Sequence, residues 1–332
     1  MSLATKYRPS KFADCVGQDV VFQVLEKQIE SGDIKNTYLF CGASGSGKTS
    51  TARILAKAIN NGEGRPIEID GASNNGVDNI RAIIDEAKNR ALDSKYKIFI
   101  IDECQVLSLS AWNAILKTIE EPPKYTIFIF CTTDPQKIPA TIVNRCMRFN
   151  FNKISSSEIA SRLTYICEQE GYTNYNDSVS YISRISNGQM RDAIANLEKV
   201  ASYSVDFDIE MTLKILGAYS YKLFFELLNS IIDGSEKDVI LNLEKIYDGG
   251  TDMKLFVDQF LTFCLDVMKY AVLGNFDIVQ IPEDMKQDLD FVSKFDNASS
   301  YYSYLVDKLL ELKNMLKTDT SYKNTCEVMF LQ

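Results

Sequence analysis

Short apolar runs alternate with amphipathic stretches through the first half of the chain. Residues 37–41, 66–70, 97–102 and 126–131 are apolar runs of strand length, bounded by turn formers. Runs this continuous predict strands buried on both faces. Between them, residues 50–59, 77–91 and 110–119 carry apolar side chains at three- and four-residue spacing, which predicts amphipathic helices. Alternating strand and helix with short connections predicts an α/β domain with a parallel sheet covered on both sides. Past about residue 150 the strand signal fades and helical patterns at 156–169, 177–186 and 189–201 form a small group. A third group starts near residue 208. There Leu223, Phe224, Leu227, Leu228 and Ile231, and later Leu305, Leu309, Leu312 and Leu316, recur at helical spacing, as core stripes do. The expected division is an α/β domain at 1–152, a small helical domain at 153–207 and an all-α domain at 208–332.

A length of 332 residues agrees with two or three domains, and 45% hydrophobic with 24% charged residues is ordinary for a globular protein. No run approaches the roughly 18 apolar residues of a membrane span, and Met1 to Arg8 has no signal-peptide core. The expectation is a cytoplasmic protein without a membrane partner. The eight cysteines include no Cys-x-x-Cys pair, and Cys41, Cys104 and Cys131 sit in or beside apolar runs, so reduced buried thiols are expected. Histidine is absent, which excludes imidazole acid–base chemistry and histidine metal ligation. The net charge of −9 is uneven. Residues 1–150 hold 19 Lys and Arg against 17 Asp and Glu, whereas 211–332 hold 12 against 19. A polyanion would therefore meet the N-terminal half.

The chemistry concentrates at the ends of the predicted strands. Gly42-Ala43-Ser44-Gly45-Ser46-Gly47-Lys48-Thr49 fits G-x-x-x-x-G-K-[ST] without a mismatch, follows an apolar strand and opens a helix. Glycines let successive N–H groups and the helix N-terminus point at phosphate; Lys48 reaches the β- and γ-phosphates and the Thr49 hydroxyl a Mg²⁺ ion. A fortuitous Gly/Ser loop would lack those flanks. The strand at 97–102 then ends in Asp102-Glu103. Asp102 is the candidate for the Mg²⁺ shell, and Glu103 for orienting or deprotonating an attacking water. The strand at 126–131 ends in Thr132-Thr133-Asp134, where a hydroxyl can bond the γ-phosphate or that water. By itself this last stretch reads as a turn; its position gives it weight.

Longer stretches resemble a known family. Asp70-Gly71-Ala72-Ser73-Asn74-Asn75-Gly76-Val77-Asp78-Asn79-Ile80-Arg81, Ile101-Asp102-Glu103 and Asn113-Ala114-Ile115-Leu116-Lys117-Thr118-Ile119-Glu120-Glu121-Pro122-Pro123 resemble the tau/gamma ATPase subunits of bacterial DNA polymerase III clamp loaders. Thr132-Thr133-Asp134-Pro135-Gln136-Lys137-Ile138-Pro139, Ala4-Thr5-Lys6-Tyr7-Arg8-Pro9 and Val16-Gly17-Gln18 continue the likeness, which is dense from residue 4 to about 200. The resemblance implies a P-loop AAA+ domain, a helical lid and a helical collar that oligomerises. It implies that Tyr7, Arg8, Pro9, Val16 and Gly17 surround adenine, and that Gly42, Gly45, Ser46, Gly47, Lys48, Thr49 and Ser50 hold the phosphates. Thr133 takes the place of the first sensor. Arg145, in Asn144-Arg145-Cys146, takes that of a finger reaching the neighbouring subunit's ATP. Arg191, in Gly188-Gln189-Met190-Arg191, takes that of the second sensor.

Three departures stand out. Residues 60–66 occupy the place of a four-cysteine zinc module, so no zinc is expected. Asn144 replaces a serine, and Gln105 replaces a histidine after Asp102-Glu103-Cys104. The chain also stops where the collar would end, and the trimmed form fits a phage-encoded or divergent bacterial member. The resemblance further implies ATP and Mg²⁺ as cofactors, and as partners other loader subunits in a ring of about five chains, a sliding clamp and primer–template DNA. Backbone contacts to DNA would come from the helix starts near 108–110 and 139–141, and clamp contacts from the helix after Asn74 and Asn75. Two alternatives stay open: an AAA+ ATPase acting on DNA in recombination or branch migration, and a catalytically silent stator of the same assembly.

Overall fold

The computed structural model describes residues 2–248, 252–279, 281, 285–295, 297–317 and 322–331. They fall into two compact units, Met1–Ala201 and Ser202–Gln332.

The first unit is built on a parallel sheet in the order β2-β3-β4-β1-β5, with β1 Thr37–Gly42, β2 Ile67–Asp70, β3 Lys97–Asp102, β4 Thr126–Thr132 and β5 Met147–Phe151. Successive side chains of the three inner strands serve opposite faces, and both faces are packed. Tyr38, Phe40, Ile98, Ile100, Ile127 and Ile129 meet α2 (Asp19–Ser31) and α3 (Lys48–Ile59) through Phe22, Leu25, Ala52 and Leu55. Leu39, Cys41, Phe99, Ile101, Phe128 and Phe130 meet α4 (Val77–Ala87) and α5 (Leu109–Glu120) through Ile80, Ile83, Trp112 and Ile115. This double coverage is why these strands read as unbroken apolar runs.

The edges depart from the sequence expectation of four buried strands. β5 is a fifth strand, and its Met-Arg-Phe-Asn-Phe alternation buries Phe149 and Phe151 while Arg148 and Asn150 stay exposed. β2, at the other edge, is not buried through: Ile67 and Ile69 are half-buried, Glu68 and Asp70 exposed. Arg53 of α3 closes that edge with two bonds to the Glu68 carboxylate, at 2.7 and 2.5 Å. α4 also ends at Ala87, short of residue 91, because Lys88, Asn89 and Arg90 are exposed and give the core nothing to pack.

The unit also contains α1 (Leu3–Lys6), α6 (Ala140–Val143) and a three-helix group, α7 (Ser156–Glu170), α8 (Asn176–Ile185) and α9 (Met190–Ala201). Ser155 and Glu158 form a reciprocal capping box at the start of α7, and Gly171 ends it in the left-handed conformation. Ile159, Leu163, Ile166, Ile182, Ala193 and Leu197 are buried among these helices. The N-terminal segment is held to the group, with the Leu3 N–H donating to Glu198 Oε1 at 3.2 Å and Arg162 donating to the Tyr7 carbonyl at 3.0 Å.

Among the described residues the second unit is helical: α10 (Ile209–Leu216), α11 (Tyr221–Ile232), α12 (Glu236–Asp248), α13 (Met253–Leu273), α14 (Lys286–Ser293), α15 (Ala298–Met315) and α16 (Tyr322–Phe330), with one short 3₁₀ turn. Its core is aromatic. Phe224 of α11 touches Phe256, Phe260 and Phe263 of α13 at centroid distances of 5.9, 5.7 and 5.4 Å. The stripes on α11 and α15 pack into this core. All eight cysteines are free thiols; Cys15 and Cys146 are half-buried and the others buried. No helix among the described residues is long and apolar enough to cross a membrane.

Candidate functional site

Parallel strands bring their C-terminal ends to one edge of the sheet, and loops there can meet although they are far apart in sequence. Cys41 lies opposite Thr132, and Ile101 opposite Phe130, so β1, β3 and β4 end close together. The loop at 42–47, Asp102-Glu103 and Thr132-Thr133 all emerge there.

A cleft of about 210 Å³ opens at this edge, entirely within the first unit. Of the residues expected to bind nucleotide, Tyr7, Arg8, Pro9, Val16, Gly45, Ser46, Gly47, Lys48, Thr49, Ser50, Asp102, Glu103 and Arg191 line it. Gly42 does not line the cleft. A Cβ there would collide with the carbonyl oxygen of Phe151, which requires glycine where β1 passes β5. Gly45 faces the helical group, since its Cβ would stand 3.1 Å from Cβ of Gln189 at a φ of +68°. Gly17 does not line the cleft either; a Cβ there would stand 3.8 Å from Ile154, which does. Thr133 and Arg145 do not line it.

Lys48 is buried, and Nζ donates to the carbonyls of Gly42 and Ala43 at 2.9 and 2.8 Å. Burial lowers its pKa, and nearby Cys131, Glu103 and Asp102 oppose that shift. The Thr49 hydroxyl donates to Asp102 Oδ2 at 2.7 Å, and Asp102 Oδ1 accepts the Glu103 N–H at 3.0 Å. A hydroxyl and a carboxylate oxygen this close are hard donors suited to Mg²⁺, which completes its shell with water and phosphate oxygens. Such a pair fits the ion without a cluster of three acidic or thiol ligands, a grouping not found among the described residues.

Glu103 stands in the left-handed region at φ 46°, a conformation costly for a residue with a Cβ and one that strained functional sites retain. Its Oε2 accepts from Gln105 Nε2 at 2.6 Å and from the Thr133 hydroxyl at 3.1 Å. Thr133 is thus joined to the site through Glu103.

Near the N-terminal segment that lines the cleft, the Tyr7 hydroxyl donates to Glu170, and its pKa is pushed up to about 12 by burial first and that carboxylate second. Asp14, Cys15, Phe22, Thr51, Ile154, Arg162 and Ile194 also line the cleft, and the sequence reading assigned none of them a part in it. They come from segments without a motif. The Thr51 hydroxyl is buried without a hydrogen-bond partner.

Arg145 points to its own neighbours: its guanidinium pairs with Glu120 at 2.7 Å and donates to the Thr141 carbonyl at 2.7 Å. The helix start expected near 139–141 is α6, a single turn of four residues, too short to present a helix dipole to phosphate. The start at 108–110 opens the twelve-residue α5, with Ser108 capping Ala111 N–H at 3.2 Å.

Comparison with known proteins places these features in context. Residues 63–155 match the model for the delta subunit of DNA polymerase III, and residues 207–295 match that for domain III of its gamma and tau subunits. The chain is 34% identical over 346 residues to the DNA polymerase III subunit tau of Bacillus subtilis, covering 98% of this chain and 61% of that protein. It is 30% identical over 336 residues to the gamma/tau subunit of Mycoplasma genitalium, covering 93% and 55%. The chain therefore spans little more than half the length of these relatives. Among solved structures, the Holliday junction branch migration motor RuvB of Thermotoga maritima superposes with a TM-score of 0.54 at 18% identity, over 68% of this chain and 79% of that one. That likeness is one of fold alone.

Proposed function

We propose that the chain is the ATPase subunit of a DNA sliding-clamp loader, in keeping with its likeness to the DNA polymerase III tau and gamma/tau subunits. The observation that carries this reading is the convergence of Lys48, Thr49, Asp102, Glu103 and Arg191 on one cleft, in a chain related to those subunits over nearly its whole length.

ATP enters the cleft with adenine toward Tyr7, Arg8, Pro9, Val16 and Gly17. Its phosphates lie over the N–H groups of 42–47, with Lys48 transferring its donors from the Gly42 and Ala43 carbonyls to the β- and γ-phosphates. Thr49 and Asp102 would hold Mg²⁺, which would supply positive charge against the phosphates. Glu103 orients the attacking water and accepts its proton. Thr133 senses the γ-phosphate from the end of β4, and Arg191 from the start of α9. Arg145 serves the ATP of the next subunit, which accords with its place outside its own cleft.

The three-part division at 1–152, 153–207 and 208–332 assigns the last segment to a collar that assembles a ring of about five chains with other loader subunits. ATP binding organises the ring to open a clamp, and primer–template DNA triggers hydrolysis and release. The start of α5 is the surface for the DNA backbone, and α4 the surface toward the clamp. The protein acts in the cytoplasm and carries no zinc. The branch-migration alternative rests on fold likeness alone, and a silent stator would have no use for an intact Lys48, Thr49, Asp102 and Glu103.

Steady-state ATP hydrolysis by the chain with its co-purified partners tests the reading. Primed DNA and a cognate clamp together should stimulate turnover beyond DNA alone, and Glu103→Gln should remove the stimulated rate. Stimulation by DNA that ignores the clamp would favour the recombination motor.

A further inference from the structure

Glu103 and Gln105 lie on the same short turn after β3, and Thr132 and Thr133 close the neighbouring strand. The four side chains form one continuous network. Gln105 Nε2 has two hydrogens and uses both, one on Glu103 Oε2 at 2.6 Å and one on Thr133 Oγ at 3.0 Å. Gln105 Oε1 accepts the hydroxyl proton of buried Thr132 at 2.9 Å, which sets which way round the amide sits. Thr132 in turn accepts the Asp134 N–H at 3.0 Å, so the amide is tied to the backbone of the β4 turn. Thr133 donates its own proton to Glu103 Oε2 at 3.1 Å. Both donors therefore converge on a single carboxylate oxygen, while the other, Oε1, receives neither of them.

We propose that Gln105 is a positioning residue for ATP hydrolysis: it anchors Glu103 by one oxygen to the end of β4 and leaves the other for the attacking water. This rests on the reading of Glu103 as the residue that orients that water. A glutamate side chain at the mouth of a cleft has three rotatable bonds and loses orientation unless something fixes it, and a misplacement of about 1 Å costs about 100-fold in rate. Backbone strain at Glu103 fixes where the side chain starts, and Gln105 fixes where it ends. The amide suits the task because it offers two donors and one acceptor at fixed angles and does not ionise.

The test compares Gln105→Glu, Gln105→His and Glu103→Gln by steady-state ATP hydrolysis of the full chain with its partners, clamp and primed DNA. Gln105→Glu keeps size and shape but turns the two donors into acceptors facing a carboxylate. It should lower kcat by about 10- to 100-fold and leave KM for ATP within about twofold, because Gln105 lies outside the cleft lining. Gln105→His restores one N–H donor and should recover most of the lost rate. A kcat for Gln105→Glu within about twofold of the parent, while Glu103→Gln is inactive, would overturn the positioning role alone. A parallel rise in KM, or loss of folding in both Gln105 variants, would show a structural role and overturn it too. An active Glu103→Gln would overturn the catalytic reading beneath it.

Discussion

Replacing Lys48 with methionine separates what the phosphate loop contributes to binding from what it contributes to the fold. The lysine side chain is 5% exposed, and its ammonium is satisfied by two backbone carbonyls at 2.9 and 2.8 Å. Methionine keeps the length of the chain but removes the charge. For the fold, two carbonyls lose a donor while a desolvated ammonium disappears, and these oppose each other. The net change in stability should stay within about 1–2 kcal/mol. Binding loses more, because phosphate oxygens are charged where the Gly42 and Ala43 carbonyls are neutral. Two charge-assisted hydrogen bonds to phosphate, at about 1.5–3 kcal/mol each, correspond to a loss of about 100- to 10,000-fold in affinity for Mg-ATP. A fluorescent ATP analogue reads the affinity. Stability can be read from Trp112, the one tryptophan of the chain, buried against Phe130 under β4 in the unit that holds the cleft. Lys48→Met that melts with the parent and still binds Mg-ATP within about threefold would refute the assignment of the loop.

Three further outcomes follow from particular contacts. Thr51→Val removes a buried hydroxyl that has no partner, and should raise stability without ligand by about 1 kcal/mol, or about 2–4 °C for a unit of this size; a comparable fall in melting temperature would contradict it. Glu170 is held below the ordinary carboxylate range by hydrogen bonds from Lys6 and then Tyr7. Its folded pKa is below its unfolded one, so its contribution is present above the ordinary value of 4.5 and disappears as pH falls through the depressed value. Acid melts should show Glu170→Gln less stable than the parent at neutral pH, with the gap closing in acid; a constant gap would exclude this linkage. Arg145→Ala breaks a half-exposed pair with Glu120 worth at most about 1 kcal/mol, so folding and ATP binding should be kept, while hydrolysis in the assembled ring falls by about 100-fold or more. Lost ATP binding with unchanged chemistry would sink the finger assignment.

How far the sequence was legible follows from how local each feature is. The loop at 42–49 stood out because eight consecutive residues carry the motif, and the inner strands were readable because burial on both faces leaves them continuously apolar. β5 escaped because an edge strand with one covered face keeps Arg148 and Asn150 between its buried aromatics. The alternation was there, but over five residues it competes with any loop. β2 erred in the other direction, since Ile67 and Ile69 look like core until Glu68 is seen facing Arg53. The network of Glu103, Gln105 and Thr133 was invisible because its members, up to 30 residues apart, meet only through the register of β3 and β4. Arg162 and Ile194 reach the cleft from helices whose own patterns report only their packing.

The most direct test is transfer of a clamp onto closed circular DNA bearing one primer, by this chain with its partner subunits, followed by a high-salt wash and gel filtration. Clamp that stays with the circle when ATP was present, is absent with Lys48→Met, and is released when the circle is cut would be the result this account predicts. ATP hydrolysis with the same partners and DNA but no clamp retained on the circle would contradict it.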